Sequence, residues 1–126
     1  MLYWLMMIAA LGGVLTTVYL VYVCWRDPVA GLRNLQHDPG PDGSAGKLPQ
    51  VMLGRYIGFL IMSVGALLSQ SALVLLVISA GLTFMAFHDA QTYKTAGKPF
   101  NKHVQAGVLG AIVFAISGLA WLTGAA

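Results

Sequence analysis

The sequence is 126 residues long, with 58% hydrophobic residues, 9% charged residues, a formal net charge of +3 and a mean hydropathy of +0.77. A soluble domain usually carries about 25% charged residues, and a small domain leaves a large share of its surface in contact with solvent. The composition therefore excludes a soluble fold and predicts an integral membrane protein with one domain.

Four apolar segments predict four transmembrane helices. Residues 51–87 carry one charge, Arg55, and are too long for one span, since a span needs roughly 20 helical residues. The uncharged polar triplet at 69–71 therefore predicts a tight turn between two helices. The expected fold is all-α, an integral membrane four-helix bundle that forms a single transmembrane domain over residues 1–126. The predicted spans are about 2–25, 51–68, 72–92 and 103–123.

Two polar segments, residues 26–50 and 94–102, connect the predicted spans. The first is rich in proline and glycine, most densely over residues 37–43, which is a composition typical of turns. Residues 28–35 predict a short helix at the membrane surface. Because these segments follow the first and the third span, both are expected on the same side of the membrane.

The basic residues indicate the orientation of the bundle. All seven lie in the two connecting segments or one turn inside them, and the opposite side carries none. By the positive-inside rule, both connections are predicted to be cytoplasmic and both termini non-cytoplasmic. No basic patch interleaved with aromatic residues exists, so nucleic-acid binding is not expected. The predicted contacts with lipid headgroups or a partner are Arg26, Arg33, Lys47, Lys94, Lys98 and Lys102.

Small residues predict where the helices pack, because in lipid they let helix backbones approach each other closely. Two alternatives stay open for these residues. They pack the four helices of the bundle together, or one small-residue face binds another protein. The predicted packing positions are Gly54, Gly58, Gly65, Gly107 and Gly110.

Arg55, His88, Asp89 and His103 form a predicted polar cluster at the membrane interface. Arg55 lies 15 residues before Gln70 and Asp89 lies 19 residues after it. Their depths should then agree to about one helical turn, which predicts an Arg55–Asp89 ion pair with His103 at the same interface. The cluster either locks the bundle together or forms a functional site that handles protons or binds a headgroup.

The remaining chemistry predicts no metal and no catalytic residues. One cysteine, Cys24, excludes a disulfide within the chain. His37 falls in the segment rich in glycine and proline, and His88 and His103 are 15 residues apart with no third ligand, which does not match the spacing of metal ligands. No cofactor is expected, although bound lipid or quinone stays open.

Short motifs at the ends of the spans match a known family pattern. They consist of Pro28, Gly31, Gly54, Arg55, Gly58, Asp89, His103 and Gly107. Through these residues the chain resembles small four-span bacterial membrane proteins of uncharacterised function that are distantly similar to DoxX-like proteins. The resemblance implies a four-helix bundle and a shared Arg/Asp/His cluster, but it implies no activity. The first connecting segment departs from the family pattern by its length over residues 36–50.

Two function classes follow as expectations. The first is a non-catalytic accessory subunit of a larger inner-membrane complex, respiratory or photosynthetic, that contacts membrane lipids and other membrane subunits through its small-residue faces and basic loop. The alternative is a free-standing homo-oligomeric transporter, or a lipid- or quinone-binding membrane protein, that uses Arg55, Asp89 and His103. A membrane enzyme built on the same cluster is a third hypothesis, but the expectation is that the protein is not an enzyme. The expected location is the bacterial inner membrane.

Overall fold

A computed structural model describes residues 1–38, 40 and 47–125. Its helices begin and end within three residues of the predicted spans. The predicted surface helix at 28–35 is also present, as α2. Residues 39 and 41–46 of the predicted first connection, and residue 126, lie outside the described residues. The elements are α1 (Leu2–Arg26), α2 (Pro28–Asn34), α3 (Leu48–Ser69), α4 (Ala72–Thr95) and α5 (Asn101–Leu122).

Four of the five helices are long and apolar enough to cross a membrane, which confirms the all-α membrane bundle. Only 17–22% of the residues in their apolar windows are buried inside the chain. Large apolar side chains such as Leu15, Ile61 and Phe84 therefore remain exposed on the outer surface. Lipid is the solvent that accommodates such a surface, since its hydrocarbon core takes up apolar side chains and requires a helical backbone.

Local capping explains where two of the helices begin. Gln70 ends α3 in the left-handed conformation with φ of 51°, and the Ser71 hydroxyl accepts a hydrogen bond from the Val74 N–H. The polar triplet at 69–71 therefore forms the predicted turn, because its side chains satisfy backbone groups that a helix end leaves free. The Asp27 carboxylate caps α2 by accepting from the Ala30 N–H at 3.0 Å.

The long helices associate as two pairs. α1 packs along α3, and α4 packs along α5, while α1–α5 and α3–α4 touch less extensively. We call the end of the bundle where Arg26, Thr95 and Asn101 lie the basic end. A core that includes Met6 and Leu75 joins the helices at the other end. A second core joins α1, α2 and α3 near the basic end and contains Cys24, Leu32, Met52 and Tyr56.

Gly31 allows α2 to lie directly on the end of α1. A Cβ atom at this position would be 2.8 Å from the Val23 carbonyl oxygen and 3.0 Å from the Cys24 Cα. Both neighbours are backbone atoms, which cannot move aside as a flexible side chain can. The absence of a side chain at residue 31 therefore sets the angle at which the chain leaves the first span.

The glycines predicted to pack helices divide into two groups. On α5, a Cβ at Gly107 would be 2.8 Å from the Phe87 ring, and one at Gly110 would meet the Thr83 hydroxyl. These two glycines lie in the close α4–α5 interface, as the small-residue pattern predicts.

On α3, the prediction that Gly54, Gly58 and Gly65 pack within the bundle is wrong for this chain. In the part of the chain that the structure describes, a Cβ on any of them would meet no atom from another element within 4 Å. The buried face of α3 instead includes Met52 and Tyr56. Gly54 follows Met52 by two residues, which is about 200° around a helix, so the glycines point to the outside.

Candidate functional site

A cavity of about 490 Å³ lies between the four long helices. It extends from His103 near the basic end to Leu75 and Ile116 near the other end. Known ligand pockets in proteins span about 300–1,000 Å³ and combine apolar walls with a few polar groups. Apolar side chains form most of the walls, among them Leu20, Phe59, Leu75, Leu82, Met85 and Ile116.

The cavity opens sideways between α1 and α5. Every exposed residue of its lining lies on one of these two helices, whereas the lining residues of α3 and α4 are buried or half-buried. The two helices touch near the opposite end of the bundle, where Met6 and Ala120 share a core. This distribution indicates an opening between α1 and α5 that runs along the apolar spans and reaches Lys102 at the basic end. Its exposed lining residues are Gly12, Thr16, Lys102, Ala106, Leu109 and Ile112.

The Arg55–Asp89 ion pair lies in the wall of this cavity. Arg55 Nη2 donates a hydrogen bond to Asp89 Oδ2 at 3.2 Å, and the guanidinium carbon lies 5.3 Å from the centre of the Phe59 ring. The side chains are 31% and 23% exposed, so water screens the pair only in part. The structure thus joins the two residues that the helical spacing places at one depth.

His37 occupies the centre of the polar end of the cavity, although it belongs to the first connection. Its Nε2 lies 2.8 Å from the Tyr56 hydroxyl and its Nδ1 lies 3.1 Å from the Tyr93 hydroxyl. Each hydroxyl can donate or accept, so both ring nitrogens of a neutral imidazole are satisfied. The residue is only 8% exposed. His37 therefore joins the loop to α3 and α4 in one network.

His103 contacts this network through its ring. It stacks on Tyr93 with ring centres 4.9 Å apart and meets the His37 ring edge-on at 4.8 Å. The residue is 7% exposed, and its Nε2 has no hydrogen-bond partner. His103 therefore lines the same cavity as Arg55 and Asp89, and its ring contacts are with His37 and Tyr93.

His88 lies outside the cluster, which corrects its predicted place there. It is exposed on α4, and its ring neighbours Phe84 at 5.9 Å. His88 and Asp89 are consecutive residues, so their side chains leave the helix about 100° apart. Since Asp89 faces the cavity, His88 faces outward.

Two lysines predicted to contact headgroups or a partner fasten the first connection to the start of α5. Lys98 Nζ forms an ion pair with Asp38 at 2.6 Å, and Lys102 Nζ donates to both oxygens of Asn34. The Gln36 side chain accepts from the Lys102 N–H at 2.8 Å. These bonds hold the residues next to His37 over the basic end of the cavity.

The other basic residues lie on the surface of the same end. Arg26 donates to the Tyr22 hydroxyl at 2.9 Å, and Arg33 donates to the Gly40 carbonyl at 3.5 Å. Lys47 and Lys94 are exposed. This position leaves them accessible to anionic headgroups, and their contact with lipid or a partner stays a prediction.

Burial and charge shift the pKa values of groups in the connections. Burial, and then the nearby His103, lower the pKa of His37 from its ordinary 6.5 to about 4, so its imidazole is neutral at pH 7. The hydrogen bond with Lys98 is the main cause that lowers the pKa of Asp38, and the same bond raises the pKa of Lys98. At pH 7 the His37 imidazole is therefore neutral, and the charges of Asp38 and Lys98 compensate each other.

Sequence reasoning did not find His37, Tyr56 and Tyr93 as site residues. His37 stands in a segment of turn-forming residues, and the two tyrosines resemble ordinary aromatic residues near a membrane boundary. No local spacing relates a loop residue to two different helices. The hydrogen bonds of His37 with Tyr56 and Tyr93 depend on the path that the chain takes after α2.

Within residues 1–38, 40 and 47–125, no group of three or more His, Cys, Asp or Glu side chains is placed to hold a metal ion. Comparison of the chain with family models, curated proteins and solved structures finds no match. The resemblance to DoxX-like proteins therefore stays an expectation from the sequence.

Proposed function

We propose that this membrane protein binds an amphiphile that dissolves in the bilayer, such as a lipid or a quinone, in the cavity between its helices. The observation that carries the proposal is the shape and chemistry of this cavity. It is apolar along most of its length, polar at the basic end, and open sideways between α1 and α5.

The lateral opening supports entry from the membrane. A molecule that dissolves in the bilayer reaches the opening without passing through water, and its apolar chain gains dispersion contacts with the walls. The polar end then receives the head, near Arg55, Asp89 and His103. We infer further that the protein lies in a bacterial inner membrane with the basic end in the cytoplasm, as the positive-inside rule favours.

Filling the cavity tests this proposal. Gly13 lines the cavity, and a Cβ there would meet no atom of another described part of the chain within 4 Å. Gly13→Leu therefore has room for its first side-chain atom and adds volume at the cavity wall. We expect Gly13→Leu to lose most of the binding of dodecanol in a neutral detergent, measured by native mass spectrometry. Thermal unfolding should show the same difference: dodecanol should stabilise the wild type but not Gly13→Leu. A ligand at a hundredfold excess over its Kd stabilises a protein by about 2.7 kcal/mol.

Gly81→Leu is the matched control. Gly81 is exposed on α4, it also has free space around its Cβ position, and it lies outside the cavity lining. Both substitutions replace a helical glycine by leucine and gain about 1 kcal/mol of helix propensity, so this effect cancels. Equal binding by Gly13→Leu and Gly81→Leu would contradict the proposal.

A second candidate is the accessory subunit of a larger membrane complex. The observation that favours it is the outward face of Gly54, Gly58 and Gly65. They lie on one side of α3, and a Cβ added to any of them would meet no atom of another described part of the chain within 4 Å. Exposed small residues at such spacing allow a helix of another subunit to approach closely. Binding of an amphiphile and an accessory role are compatible functions, because the glycine face and the cavity lining lie on different sides of α3.

Native gel electrophoresis after extraction in a mild detergent tests this second candidate. We expect the wild type to migrate with a large complex and Gly58→Leu to migrate alone, because the added side chain separates the helices. Gly81→Leu should migrate as the wild type does. A wild type that migrates as a small, discrete oligomer would rule the accessory role out.

A further inference from the structure

His103 lines the cavity, and its Nε2 is a buried nitrogen without a hydrogen-bond partner. Among the described residues that line the cavity, no other side-chain nitrogen or oxygen that is fully shielded from solvent lacks a partner. The Ser63 hydroxyl also forms no hydrogen bond with a described residue, but it keeps some accessible surface. A buried polar atom of this kind costs free energy until a partner meets it. His103 Nε2 therefore marks the point where a ligand gains a hydrogen bond.

The orientation of His103 is held by its neighbours. Its ring stacks on Tyr93 at an interplanar angle of 15° and contacts the edge of the His37 ring. The nearby hydroxyls of Thr16, Thr17 and Ser79 already donate to carbonyl groups of their own helices. They offer a ligand less than the unpaired nitrogen does.

Among the described residues that line the cavity, the charges are paired or screened by water, which leaves little counter-charge for an ionised head. Arg55 is paired with Asp89 at 3.2 Å. His37 is neutral at pH 7, since burial holds its pKa at about 4. The ammonium of Lys102 keeps its charge, because its acceptors, the backbone and side-chain oxygens of Asn34, are neutral. Lys102 is exposed, however, so water screens this charge. Moving an unpaired charge into such a site is unfavourable.

From this arrangement we infer that the cavity selects an amphiphile with an uncharged head that carries a carbonyl or hydroxyl oxygen, and that this oxygen forms a hydrogen bond with His103 Nε2. The inference rests on the proposed binding of an amphiphile and names the class of its head. The apolar chain then extends toward Leu75 and Ile116.

A series of probes with similar chains and different heads tests the inference. The probes are dodecanol, methyl decyl ketone, dodecanoate, dodecylammonium and dodecane, and their affinities at neutral pH are compared by native mass spectrometry. We expect dodecanol to bind about three- to tenfold more tightly than dodecane, which corresponds to one net hydrogen bond. The two ionised probes should bind more weakly than dodecanol. Tight binding of the ketone would show that Nε2 donates, because a ketone only accepts.

Substitution of His103 tests whether the preference for dodecanol over dodecane depends on this side chain. His103→Phe keeps an aromatic ring against Tyr93 but removes the nitrogen. The affinity of this variant for dodecanol should therefore equal its affinity for dodecane. His103→Gln retains a hydrogen-bonding group and should restore part of the difference. The control is His88→Phe, at an exposed histidine outside the cavity lining, which should leave all affinities unchanged.

Two results would overturn the inference. One is a wild-type series in which dodecanoate or dodecylammonium binds as tightly as dodecanol, a comparison that needs no variant to fold. The other is a preference for dodecanol that persists in folded His103→Phe. If the probes with different heads all bind with the same affinity but Gly13→Leu still abolishes binding, the inference fails and the proposed function stands. If Gly13→Leu has no effect on any probe, the proposed function fails.

Discussion

Asp89→Ala is expected to lower the free energy of unfolding by roughly 2 kcal/mol, a value between those of exposed and fully buried ion pairs. The variant leaves the Arg55 guanidinium without its carboxylate in the cavity wall, where the side chain is 31% exposed. A charge held against apolar walls without a partner is unfavourable. Unfolding in detergent, induced by heat or by SDS, measures the effect.

The double variant Arg55→Met, Asp89→Leu distinguishes two causes of lost stability: the loss of the ion pair itself, and the unpaired Arg55 charge that Asp89→Ala leaves in the cavity wall. It removes both charges, so we expect it to recover most of the stability that Asp89→Ala loses. Asp38→Ala serves as the control, because the Lys98–Asp38 pair is about half exposed and should contribute less. Unchanged melting of Asp89→Ala would show that the ion pair does not stabilise the bundle.

Acidification is expected to destabilise the protein through His37. In the unfolded chain this imidazole takes up a proton near its ordinary pKa of 6.5, whereas burial lowers its pKa in the folded protein to about 4. Between these values the unfolded state binds more protons, so stability rises with pH. The contribution of neutral His37 to the free energy of unfolding is complete above pH 6.5. It decreases as the pH falls from 6.5 to about 4, and it is lost below about pH 4.

The expected loss is about 2 kcal/mol across that window, after partial solvent screening of a pKa difference that corresponds to about 3 kcal/mol. His103 and the Arg55–Asp89 pair face His37, so the wild-type curve also contains their responses. Subtracting the curve of His37→Gln isolates the contribution of His37. The control His88→Gln should retain the full dependence. Parallel curves for wild type and His37→Gln would show that His37 is not held neutral by burial.

The sequence by itself determined the class of protein and the order of its helices. The scarcity of charge excluded a soluble fold, and the polar triplet at 69–71 divided a long apolar segment into α3 and α4. Helical rise also placed Arg55 and Asp89 at one depth, and the structure pairs them. These features follow from sequence because length, hydropathy and helical spacing are local properties of the chain.

Only the tertiary structure decided which helix faces point inward. The glycines of α3 and α5 look alike in sequence, yet Gly107 packs against Phe87 while Gly54 faces outward. Lipid is as apolar as the bundle interior, so hydropathy does not distinguish the two faces. The place of His37 between Tyr56 and Tyr93 depends in turn on where the first connection crosses the bundle. Contacts between residues 19 and 56 positions apart arise from packing, and no local pattern along the chain specifies them.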